Sequence, residues 1–144
     1  MSEVKFTPVS PGLVGHCWDI ARPMIGRACE FSNGKFDTDS VRAELVSGAQ
    51  VLWILYRGDD EMLVALTTSV LNYPRKRVLN IPFCGSNGND SYWYRHRDLI
   101  VPKLIDWADR HHCSGIEVSG RGGWERVLSP FGFRKSFVTL ELEI

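Results

Sequence analysis

Arg77-Val78-Leu79-Asn80-Ile81-Pro82-Phe83-Cys84-Gly85-Ser86-Asn87-Gly88-Asn89-Asp90 (RVLNIPFCGSNGND) runs from a β-forming stretch into a loop of small polar residues. Arg77 to Cys84 reads as a strand. Gly85 to Asp90 reads as the loop that follows it, with Asp90 or Ser91 positioned to cap a helix. Beyond it Trp93, Ile100, Leu104, Trp107, Ala108 and His111 recur at helical spacing, with a kink expected at Pro102. Ile116 to Ser119 then reads as a short strand. A strand reached from the previous one across a helix forms a parallel, right-handed βαβ crossover.

The segments before this junction read as an antiparallel meander. Val51 to Tyr56 is a continuous apolar run, the pattern of a strand covered on both faces. Gly58-Asp59-Asp60 turns the chain, Met62 to Tyr73 is the next strand, and Pro74 with Arg75-Lys76-Arg77 forms the turn into the strand ending at Cys84. Earlier still, Lys5 to Val9 contains Pro8 and suits an edge strand. Leu13, Cys17, Ile20, Met24, Ala28 and Phe31 mark a helix face that Pro23 should bend or split. Thr38 or Asp39 can cap a second helix over Ser40 to Ser47, closed by Gly48. After the crossover, Trp124 to Leu128 reads as a short helix stopped by Ser129-Pro130, and Arg134 to Ile144 as a final strand. The expected fold is α/β in the broad α+β sense: one domain over 1–144, with a central mixed, mostly antiparallel sheet flanked by helices.

With 144 residues, 44% hydrophobic and 24% charged, the chain is long enough for one buried core. No apolar run approaches the roughly 20 residues that cross a bilayer, and the N-terminus lacks the pattern of a signal peptide. The expectation is a cytoplasmic protein whose four cysteines are thiols. Seventeen basic residues balance seventeen acidic ones, which argues against nucleic acid as a partner. The clusters Arg75-Lys76-Arg77 and Arg95-His96-Arg97 read as solvated surface.

This order of elements resembles the GCN5-related N-acetyltransferase (GNAT) superfamily across nearly the whole chain. More narrowly, "YPRKRVLNI", "LIDWADRHHCSGIEVSGRGGWERVL" and "VTLELEI" are similar to GNAT-like proteins of tailed phages and prophages. The resemblance implies acetyl-CoA as co-substrate and direct acyl transfer to an amine, without a metal, in the host bacterial cytoplasm. An alternative is an inactive, virion-associated or accessory protein that meets phage virion proteins. The resemblance also puts pantetheine beside Ile81, Pro82, Phe83 and Cys84. The loop residues Gly85, Ser86, Asn87 and Gly88 would then meet the pyrophosphate, where a helix dipole of roughly half a positive charge favours an anion.

Three departures from that family pattern stand out. Its phosphate motif Q/R-x-x-G-x-G/A is replaced by Cys84-Gly85-Ser86-Asn87-Gly88-Asn89-Asp90. The tyrosine that many members carry four residues before the glycine of "GF", as acid for the leaving thiolate, is Leu128 here. The usual terminal hairpin is shortened, since eleven residues follow Phe133. The acceptor side is then more open or built by a partner chain, and exposed edges at Lys5 to Val9 or in the final strand suit a homodimer.

Glu117, Ser119 and Tyr92, with Tyr94 and His96, are the candidates for proton handling. Glu117 also fits a solvent-facing strand position. Cys84 fits a buried, unreactive thiol better than a nucleophile. His111-His112-Cys113 lacks metal-ligand spacing and reads as a helix end. The glycines of Gly120-Arg121-Gly122-Gly123 are explained by a strand-to-helix turn. Arg121 is not, and it is a candidate for a CoA phosphate.

Overall fold

The computed structural model describes residues 3–89, 91–120 and 123–144. The strands are β1 (Val4–Val9), β2 (Val51–Arg57), β3 (Glu61–Tyr73), β4 (Lys76–Ile81), β5 (Cys84–Ser86) and β6 (Gly115–Val118). The α-helices are α1 (Val14–Cys29), α2 (Thr38–Ser47), α3 (Ser91–Arg95), α4 (Arg97–Arg110) and α5 (Gly123–Leu128). The sheet runs β1-β2-β3-β4-β6, with β5 lying along β3 in line with β4. Every pairing is antiparallel except β4 with β6, which is parallel as the crossover requires.

Alternation along β2 and β3 divides the core between the two faces of the sheet. Trp53, Leu55, Val64 and Leu66 join Ile100 and Leu104 of α4 on one face. Leu52, Met62 and Ala65 join Val14, Trp18, Ile25, Val41 and Leu45 of α1 and α2 on the other. Trp53 anchors the first layer, stacked on Phe6 at 5.0 Å between ring centres and edge-on to Trp107 at 5.1 Å. Its indole N–H donates to Thr68 Oγ1 at 3.0 Å, so the buried ring leaves no orphan donor.

Several boundaries differ from the sequence expectation. The buried face of α1 is Val14, Trp18, Ala21, Met24, Ile25 and Cys29, whereas Leu13 and Ile20 are exposed. Two apolar series at helical spacing overlap in this segment, and the one carrying the large Trp18 ring is buried. Pro23 does not split α1, because the bond it forfeits lies on the exposed side of the helix, where Asp19 is also exposed. The cap of α2 is Asp37 rather than Thr38 or Asp39. Asp37 accepts from the Ser40 amide at 2.8 Å while its own amide donates to Ser40 Oγ at 3.1 Å, a reciprocal pair that satisfies two terminal donors. The long helix after Asp90 is two helices, broken at His96 and continuous through Pro102.

Two differences bear on function. The strand expected over 77–84 stops at Ile81 and resumes at Cys84. Ser69 pairs with Asn80 but Leu66 pairs with Cys84, so this strand holds one residue more than β3 across the same interval. That is a β-bulge. Pro82 explains its place, since proline has no N–H to donate to a ladder. The second difference is that Arg134 to Ile144 forms no strand.

The bulge brings Gly85 against α1. A Cβ on Gly85 would lie 2.0 Å from the Met24 carbonyl oxygen, a contact that only glycine avoids. Gly85→Ala should therefore lower unfolding free energy by about 3 kcal/mol, as overpacking against backbone does. Gly115→Ala, with open space around its α-carbon, should stay within about 0.5 kcal/mol of the parent. Urea denaturation of the two variants checks the pair.

Candidate functional site

The parallel ladder between β4 and β6 ends at the pair Ile81 and Val118. Past that pair one chain turns into the bulge toward β3 and the other leaves the sheet through Ser119 and Gly120. A cavity of about 610 Å³ opens there. Its floor includes Ser69 and Asn80, neighbours in register. One wall is the end of α1 with Arg27 and Glu30, and the other is Val118 to Gly120 with Trp124.

Six of the residues anticipated around a cofactor line this cavity: Ile81, Pro82, Phe83, Cys84, Gly85 and Ser86. Their side chains do different work. Ile81 belongs to the layer under α4, and Phe83 is buried in the layer under α1, edge-on to Phe36 at 5.2 Å. The Phe83 carbonyl accepts from the Thr67 amide at 2.9 Å, which pins the bulge to β3.

Asn87 and Gly88 are exposed and stand outside the cavity lining. The Asn87 amide donates to the Leu63 carbonyl at 2.9 Å and the Gly88 amide to that of Ser86 at 3.0 Å. The amides of Ser91 and Tyr92 are taken by Asn89, through its side-chain oxygen at 3.0 Å and its carbonyl at 3.2 Å. The Asn87 amide therefore extends the pairing with β3, and the other three close local turns, so none of the four is free to meet an anion, and the helix that follows has five residues.

Arg121 and Asp90 lie outside the described residues. Ser119 is on the cavity rim and exposed. Glu117 is two residues further back, within β6, and lines a neighbouring groove, where its carboxylate accepts from the Tyr73 hydroxyl at 3.0 Å. Tyr92 is half-buried outside the cavity lining. The Arg57 and Arg95 guanidiniums lie 5.9 and 5.6 Å from its ring centre. His96 stands in the same group, and its pKa is lowered by burial and by the charges of Arg95 and Arg57. The structure thus brings Ser119 to the cavity with the bulge residues, and sets Glu117 and Tyr92 apart.

Trp124 lines the cavity as well as packing edge-on to Trp93 at 5.1 Å. Arg77, expected in a solvated cluster, instead donates from Nε to the His111 carbonyl at 2.8 Å at the end of α4. The His111 ring stacks on Trp107 at 4.4 Å. Among the described residues no three His, Cys, Asp or Glu side chains are grouped to hold a metal ion, and no helix is long and apolar enough to cross a membrane.

Sequence reading missed the polar residues that α1, α2, the turn after α2 and the sheet face contribute. Arg27 donates a guanidinium N–H to the Ser86 carbonyl, which holds its charge over the bulge. Gln50 is buried and donates to Glu44 at 2.8 Å, and both residues line the cavity. No local pattern marks them as site residues, because they line one cavity only once α1, the turn after α2 and the bulge are brought together.

No family model and no curated protein sequence matches the chain. Solved structures do match along nearly its full length. An aminoglycoside acetyltransferase from an uncultured soil metagenomic sample superimposes with a TM-score of 0.71 at 14% identity, covering 99% of each chain. A predicted acetyltransferase with acetyl-CoA from Clostridium acetobutylicum gives 0.69 at 12% identity, over 98% of this chain and 96% of that one. A GCN5-related N-acetyltransferase from Ralstonia eutropha gives 0.70 at 10% identity, over 98% and 99%. The chain therefore has the fold of the GNAT acetyltransferases.

The Tyr73 and Glu117 contact supplies a test of the site's geometry. The hydrogen bond to Glu117, more than burial, raises the Tyr73 pKa above the ordinary phenol range. A raised pKa means that this bond stabilises the fold while the phenol is protonated and is lost as pH rises through the shifted value. Ultraviolet titration should show one phenol ionising late in the parent chain and returning toward the ordinary range in Glu117→Gln. Identical titrations would mean that the contact does not form.

Proposed function

We propose that the chain is an acyl-CoA-dependent N-acyltransferase of phage or prophage origin, acting in the host bacterial cytoplasm on an amine. The observation that carries this reading is the cavity where β4 and β6 part after Ile81 and Val118. Backbone from the bulge on one side and from Ser119 and Gly120 on the other faces an opening there. An extended pantetheine arm fits such an opening by adding main-chain hydrogen bonds, and the acyl thioester then reaches Ser69 and Asn80 on the sheet face.

The chemistry asks little of the side chains. A neutral amine attacks the thioester carbonyl, the carbon–sulfur bond breaks, and the amine's proton passes to the departing thiolate, so the products are an amide and the CoA thiol. Positioning and polarisation of the carbonyl carry most of the acceleration. In this reading Ser119 on the rim relays the proton to the departing thiolate. Arg27 takes the pyrophosphate contact, since the amides of Asn87 and Gly88 are engaged by the Leu63 and Ser86 carbonyls.

Arg27→Ala should raise the acetyl-CoA dissociation constant about tenfold, the scale of one charge-assisted contact. A truncated thioester without phosphates should bind the variant and the parent within about twofold. Calorimetry with both ligands, beside melting temperatures, checks this. Parent protein that shows neither heat nor thermal shift at millimolar acetyl-CoA would sink the proposal.

One observation favours a second reading, an accessory phage protein that retains the fold without turnover. Leu128 occupies the position of the family's thiolate acid and is buried in the core under α4. Acetyl-CoA binding without acyl transfer to any of a broad panel of amines would select this reading over the first.

A further inference from the structure

We propose, on the acyl-transfer reading above, that Glu44 and Gln50 form a subsite for a second, non-reacting cation on the acceptor. The amine acylated here then belongs to a diamine or a longer polyamine. The charged side chains lining the cavity are Arg27, Glu30, Lys35 and Glu44. Lys35 is neutralised by Glu141 at 2.6 Å, and Arg27 is held at the bulge by the Ser86 carbonyl. Glu30 and Glu44 have no ion-pair partner among the described residues. Glu44 is moreover half-buried, and a carboxylate drawn out of water favours a cation beside it.

The neighbouring glutamine distinguishes this carboxylate from ordinary helix surface. Gln50 is only 5% exposed and lines the cavity. Its Nε2 donates to Glu44 Oε2 at 2.8 Å, which fixes the orientation of the amide. Its Oε1 is buried and has no hydrogen-bond partner among the described residues, an arrangement that costs stability until a donor arrives. Fastening the end of α2 does not require this side chain, because the Gln50 backbone amide already donates to the Glu44 carbonyl at 3.1 Å. An ammonium, with three N–H donors, can meet Gln50 Oε1 and the Glu44 carboxylate together.

The sheet register sets the direction in which such an acceptor lies. Gln50 is one residue beyond the pair Val51 and Thr68, which carries it opposite Ser69, and Ser69 pairs with Asn80. All three line the cavity, so a row of polar side chains crosses its floor. The row is uncharged at Ser69 and Asn80, where the thioester is placed, and ends on the charge of Glu44. A carboxylate beside the reacting nitrogen would hold its proton, whereas uncharged neighbours let the proton leave. The Glu44 end keeps the other nitrogen as an ammonium. Strands about 5 Å apart, together with the reach of the Gln50 side chain, set the two nitrogens roughly 5 to 8 Å apart, a span of about three to five carbons.

Chemical-shift titrations of the isotopically labelled full chain with α,ω-diaminobutane and with butylamine test the proposal. The diamine should bind about tenfold more tightly than the monoamine, moving the Gln50 side-chain amide and the Ser69 backbone amide, and Glu44→Gln should cut that preference to about twofold or less. Glutamine at position 44 keeps the side chain's size, and the comparison of the two amines on the parent chain needs no variant. Equal affinities of the parent for both amines overturn the proposal, and so does a diamine preference that survives Glu44→Gln. Acetyl-CoA calorimetry on the parent separates the subsite from the reaction. Acetyl-CoA binding without a diamine preference sinks the subsite alone, whereas a diamine preference without acetyl-CoA binding upholds the subsite and sinks acyl transfer.

Discussion

The α-carbon of Gly85 lies against the carbonyl of Met24, and much of the molecule follows from that approach. It holds α1 down on the interrupted strand, where any side chain at 85 would push the helix away. Met24 and Arg27 are one helical turn apart, so the contact that seats one on Gly85 puts the other's guanidinium on the next residue's carbonyl, at Ser86. A close packing requirement thereby becomes the placement of a positive charge at the mouth of the cavity.

Pro82 supplies the other half of the constraint. By refusing a ladder bond it inserts one extra residue into the strand, and the Phe83 carbonyl, tied to Thr67, fixes where the bulge lies. Parallel pairing with β6 runs to Ile81 and goes no further. The cavity is thus a product of backbone rather than of a side-chain constellation. That suits acyl transfer from a thioester, where aligning the reactants and polarising one carbonyl matter more than a dedicated nucleophile.

Local signals carried much of the fold. The apolar run 51–56, the turn at Gly58 and the spacing from Ile100 to Ala108 each specify an element whose neighbour is the next in sequence, so the meander and the crossover are readable without coordinates. The failures share a physical cause. Two apolar series competed along α1, and only packing against the sheet decides for Trp18 over Ile20. Arg134 to Ile144 has a strand's alternation but lacks a partner strand here, because a strand is defined by its neighbour as much as by its sequence. At the site, the residues nearest the bulge were legible from the strand-to-loop junction. Arg27, Gln50 and Ser69 were not, since each reaches the cavity through a tertiary approach that no spacing encodes. The loop glycines misled differently: Gly85 is required by α1, and the Asn87 and Gly88 amides are taken by the Leu63 and Ser86 carbonyls.

In the proposed site acyl-CoA lies across the bulge, between the parted ends of β4 and β6. Amide chemical-shift mapping during an acetyl-CoA titration of isotopically labelled protein tests it most directly. The largest perturbations should fall on Ile81, Phe83 to Ser86, and Val118 to Gly120, with the Arg27 side-chain signal moving in step. Perturbations centred instead on Tyr92 and Arg95 of α3, with the bulge unmoved, would contradict it.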